Sequence, residues 1–69
     1  MPKDTEDRSE RREVLAALDK TQKLLRYAHA EFNQTGEPEL VEAAVYEINS
    51  LNARYAYLLR RVRELGIAN

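Results

Sequence analysis

His29 is the only histidine of the chain, which makes it the first residue to examine for proton transfer or metal binding. The two acids that could assist it, Glu31 and Glu42, stand in no arrangement that would orient an imidazole. In helical bundles that hold two metals, a Glu three residues ahead of the His supplies a further ligand, and that position is Arg26. Glu39 and Glu42 lie about one helical turn apart and could touch a cation. Carboxylates at the start of a helix already have a role, however, in complementing the positive end of its dipole. Ser50 has no base at a recognisable spacing. Cysteine is absent, so disulfides, thiolate metal sites and cysteine nucleophiles are removed together. The phosphate-loop, dinucleotide-binding, zinc-protease and serine-hydrolase signatures are missing as well. These residues predict a protein that is not an enzyme, with no catalytic, metal-binding or cofactor-binding residue.

The charge that remains is local. Eleven Lys plus Arg oppose twelve Asp plus Glu, so no global basic field recruits nucleic acid or acidic lipid. Between Tyr27 and Ala53 there are five acids, Glu31, Glu37, Glu39, Glu42 and Glu47, and no Lys or Arg. Near the two termini, Arg8, Arg11 and Arg12 and then Arg60, Arg61 and Arg63 form basic groups that could contact phosphates. Asp7, Glu10, Glu13 and Glu64 are interleaved with them, which points first to a solvated ion-pair network. No interleaved aromatics provide a stacking platform for bases.

The elements that must position these groups follow from periodicity. Val14, Leu18, Thr21, Leu25, Ala28 and Phe32 recur at alternating spacings of four and three, the heptad pattern of a helix facing one partner. Val41, Ala44, Ile48, Leu51, Tyr55, Leu58, Val62 and Leu65 repeat it. Neither segment alternates with the period of two that a strand requires. Between them, Gly36 and Pro38 provide the strong punctuation. Gly36 is expected to close the first helix in the left-handed conformation, and Pro38 fits the first turn of the next, with Glu37 as its N-cap. Gly66 is expected to end the second helix.

The chain of 69 residues is thus predicted to be a single all-α domain, an antiparallel two-helix hairpin. The expected boundaries are a frayed segment 1–8, a helix over about 9–34, a turn at 35–37 and a helix over about 38–65. Folding the helices together pairs Phe32 with Val41, Leu25 with Ile48 and Leu18 with Tyr55. Thr21, facing Leu51 and Asn52, is the one polar layer, Gln22 lies beside Asn52, and Glu10 can meet Arg61. No segment has the run of about 18 apolar residues that a bilayer helix needs, and the N-terminus has no apolar signal-peptide core, so a cytoplasmic protein with no membrane contact is expected.

One hairpin does not account for all the apolar residues. Leu40, Ala53, Tyr46, Tyr57 and Leu59 lie off the seam of the second helix, and Leu24 off that of the first. Chains of this size gain only about 3–5 kcal/mol from one core, and no disulfide supplements it here. Two hairpins are therefore expected to associate as a homodimer, a four-helix bundle with the second helices near its centre. Tyr46, Ala53, Tyr57, Leu24, Leu40 and Leu59 are the predicted protein-interface residues. The leading reading is a non-catalytic interaction module that also docks on a larger, unidentified cytoplasmic protein. The alternative is an accessory nucleic-acid binder acting through Arg8, Arg11, Arg12, Arg60, Arg61 and Arg63.

Several stretches carry a resemblance: Ala30-Glu31-Phe32-Asn33, Pro38-Glu39-Leu40-Val41, Ala44-Val45-Tyr46-Glu47 and Arg54-Tyr55-Ala56-Tyr57-Leu58-Leu59-Arg60. Over roughly residues 24 to 66 the chain resembles the YaaL family of short, uncharacterised bacterial proteins. Glu37 departs from the Asp more usual there before the proline, and the first thirteen residues carry no resemblance. The likeness implies a bacterial cytoplasmic protein, often encoded near recombination and replication genes, and it implies no catalytic residues. The layout is also similar to that of the small two-helix phosphatases of the sporulation relay, but their Ser-Gln-Glu-Leu-Asp signature is missing and Asn49-Ser50-Leu51-Asn52 stands nearby instead.

Overall fold

Long runs of Ala, Leu, Glu, Arg and Lys with apolar residues every three or four positions favour helices, and two helices account for nearly all of the described residues. A computed structural model describes the backbone of residues 3–67 and the side chains of residues 8–67. Helix α1 spans Lys3–Gln34 and helix α2 spans Pro38–Glu64. They pack on each other antiparallel, since Glu10 reaches Arg61 and Gln22 reaches Tyr55. The hairpin is about as long as its first helix, with a greatest extent of 53 Å.

The start of α1 corrects the expected boundary. Of the segment 1–8 expected to fray, residues 1 and 2 lie outside the described residues, and the chain is helical from Lys3 onward. After Pro2 nothing in this stretch breaks a helix, because it contains no Gly and no further Pro.

The turn is also built differently from the expectation for Gly36. Among the described residues only Gly66 has a positive φ, so Gly36 does not occupy the left-handed region. The proline makes that conformation unnecessary. Pro38 disfavours helical geometry at the residue before it, and Glu37 is accordingly extended at φ -85° and ψ 124°. The Thr35 amide closes the last turn of α1 on the Glu31 carbonyl at 3.1 Å. The Glu37 amide then donates to Thr35 Oγ1 at 3.2 Å, a local hydroxyl-to-backbone turn. Glu37 is the N-cap of α2, but its side chain makes no capping bond. Glu39 supplies the acid of the first turn.

The far end of α2 closes as a Schellman motif. Gly66 has φ +69°, its amide donates to the Arg63 carbonyl at 3.1 Å, and the Ile67 amide donates to the Val62 carbonyl at 3.0 Å. Ile67 packs back against the cluster of Val14, Leu58 and Val62, with Ala17, Leu18 and Leu65 beside it. That contact adds a partly buried apolar side chain to the seam beyond the end of α2.

The seam is thin. Its buried residues are Val14, Thr21 and Ala28 on α1 and Ala44, Leu51, Leu58 and Val62 on α2, all at predicted heptad positions. Leu18, Leu25, Ile48 and Tyr55 are only half-buried, and Phe32 is 40% exposed, so the layer nearest the turn does not close. No large side chain is fully buried among the described residues. Thr21 is buried without setting register through a hydrogen bond, because its hydroxyl donates to the Ala17 carbonyl of its own helix at 2.7 Å. Gln22 uses its amide to reach Tyr55 Oη at 3.2 Å rather than Asn52.

Candidate protein-interaction face

Two cross-seam contacts separate the six predicted interface positions into distinct surfaces. Glu10 and Arg61 join across one flank of the seam, and Gln22 and Tyr55 join towards the other. By helical spacing, Leu24 and Leu40 lie on the Glu10–Arg61 flank, whereas Leu59 and Leu15 lie on the Gln22 flank. Tyr46, Ala53 and Tyr57 fall on the side of α2 directly opposite the seam. The six residues therefore do not form one patch, and only the last three share a face that the hairpin cannot cover.

That face is open. Tyr46 is 69% exposed and Tyr57 50%, with Ala53 exposed between them. Small side chains surround the tyrosines, since Ala43, Ser50 and Ala56 are also exposed on this side of α2. The Arg60 guanidinium lies over the Tyr57 ring at 5.4 Å from its centroid, a cation–π contact that favours one ring orientation. The spacing of three between Tyr57 and Arg60 is the sequence signal for that pair; the sequence reading gave Tyr57 to the protein interface and Arg60 to phosphate contact. On α1 the exposed Tyr27, at 76%, borders open depressions of 290 and 370 Å³ lined by α1 residues alone.

The arginines of the open end are only in part available. Arg61 is held by Glu10 across the hairpin and by Glu64 Oε1 at 2.7 Å on its own helix. The Glu64 hydrogen bond is the main cause that raises its pKa, burial works against it, and the nearby charge of Glu10 adds to the rise. Arg60 Nε stands 3.8 Å from Glu64 Oε2. Arg8, Arg11, Arg12 and Arg63 are exposed. Among the described residues, carboxylates and a tyrosine thus engage two of the six cations predicted to contact phosphate.

His29 and Glu42 are exposed and stand apart from any cluster, and among the described residues no three His, Asp or Glu side chains converge to hold a metal. No described helix is long and apolar enough to cross a membrane.

A family model described as "Protein of unknown function (DUF2508)" matches residues 2–69. The chain belongs to the DUF2508 family. The match to DUF2508 extends through the N-terminal residues, for which no resemblance had been apparent, and it assigns no activity. No curated protein and no solved structure matches the chain.

Proposed function

We propose that this DUF2508 chain is a non-catalytic protein-interaction module whose docking surface is the outer face of α2. The observation that carries this reading is the exposure of Tyr46 and Tyr57 on the side opposite a seam that buries no large side chain completely. Aromatic residues with polar tips suit interfaces, where the ring is covered and the hydroxyl finds a partner. The cover is a second hairpin or a larger cytoplasmic protein. In the biological setting, the chain is a YaaL-like bacterial cytoplasmic protein that acts as an accessory to recombination or replication proteins.

The test compares wild type with Tyr46→Glu and Tyr57→Glu for helicity, oligomeric state and capture of cellular proteins. A charge placed in an apolar contact should abolish association while leaving the seam, and hence most of the helicity, in place. Both variants behaving as wild type in all three measurements would overturn the reading.

A further inference from the structure

We infer that the occupant of the outer α2 face is a second copy of the chain, running antiparallel about a two-fold axis at Ala53. This rests on the docking role proposed for that face and specifies what docks there.

The argument is charge and shape complementarity along α2. Towards the turn, the outer face presents Glu42 and Tyr46, and towards the open end it presents Arg60 and Arg63. Glu42 and Arg63 make no ion pair within the hairpin among the described residues. An antiparallel second copy with Ala53 on the axis sets Glu42 against Arg63, Tyr46 against Arg60 and Ser50 against Tyr57, each contact occurring twice. An isologous interface of this kind satisfies both copies with one set of residues. A parallel pairing would instead place Glu42 on Glu42 and Arg63 on Arg63, which is repulsive. Ala53 at the axis, with Ser50 and Ala56 beside it, lets the helices approach to the close end of the usual range of about 8–10 Å.

The arrangement also has a definite shape. Because the face lies opposite the seam, the helices form a row, α1–α2–α2–α1, with the second helices in the middle. A square four-helix bundle would require contact through a flank that includes α1. The row is broad and flat, and scattering in solution distinguishes the two.

Disulfide trapping tests the inference cleanly, since the natural chain has no cysteine. Ala53→Cys alone should oxidise to a covalent dimer. Glu42→Cys and Arg63→Cys should each remain unlinked alone and link when mixed, because antiparallel packing separates two copies of residue 42 by about 30 Å, far beyond disulfide reach. Glu42→Lys should weaken dimerisation several-fold, and adding Arg63→Glu should restore it. Glu42→Cys linking to itself would overturn the inference in favour of a parallel pair. A dimer in which Ala53→Cys does not link would place the axis elsewhere and overturn it too. A wild-type chain that is monomeric at about 100 µM would overturn it as well. In that last case the docking role is judged separately, by whether Tyr46→Glu and Tyr57→Glu lose a heterologous partner.

Discussion

Glu10 of α1 and Arg61 of α2 form an ion pair across the open end of the hairpin, and Glu64 engages the same guanidinium from the next turn of α2. The pair was expected from the antiparallel register, and its presence locates the two helices relative to each other. Half-exposed ion pairs contribute modestly and are screened by salt. Glu10→Gln should therefore lower the melting midpoint less than any substitution of a buried seam residue, and the difference from wild type should shrink in high salt. Thermal melts at two ionic strengths check this.

The pH dependence of Arg61 has a definite sign. Its folded pKa is raised, so its contribution is complete below the unfolded value and is lost only as pH climbs through the folded one, in strongly alkaline solution. The loss on Arg61→Met should consequently be the same at neutral pH and at about pH 10, as measured by urea denaturation at both.

The two glycines should respond oppositely to alanine. Nothing lies within 4 Å of a Cβ built at either position, so only backbone conformation decides. Gly66→Ala forces a side chain into the left-handed region and should cost about 1–2 kcal/mol. Gly36→Ala, where φ is not positive, should be neutral or stabilise by up to about 1 kcal/mol through the unfolded chain. Equilibrium unfolding of both variants reads the contrast.

The N-terminus of α2 can be improved. Glu37 caps without a side-chain hydrogen bond, and Asp at that position can reach the free amides of the first turn. Glu37→Asp should stabilise the fold by about 0.5–1 kcal/mol in the same unfolding assay.

Seam truncations should rank by burial. Leu58→Ala, at a residue 6% exposed in the best-packed cluster, should cost about 2–5 kcal/mol. Leu25→Ala and Tyr55→Ala should cost less, because both residues are only half-buried. Chemical denaturation of the three variants under identical conditions gives the order.

The heptad spacing made the hairpin legible, since every buried residue from Val14 to Val62 falls where an unbroken 3–4 pattern places it. The Glu10–Arg61 pair followed from that register. What escaped sequence reading depended on local competition between residues. Pro38 fixes Glu37 and Thr35 caps its amide, so Gly36 has no conformational task even though glycine is the usual residue for one. Ile67 was overlooked because a single apolar residue after a glycine has no periodicity, although the Schellman geometry turns it back onto Val62 and its neighbours. The outer face was legible as three residues, Tyr46, Ala53 and Tyr57. Its separation from Leu24, Leu40 and Leu59 depended on which flank each helix presents, and the cross-seam contacts of Glu10 and Gln22 make that visible.

The most direct test of the account is sedimentation equilibrium of wild type beside Tyr57→Glu over micromolar concentrations, with helicity recorded on the same samples. The account predicts a wild-type mass about twice the 8.0 kDa of the chain and a helical variant near the single-chain mass. A wild type that stays at the single-chain mass at every concentration, or a variant that sediments as the wild type does, would contradict the claim that the outer face of α2 is covered by a second hairpin.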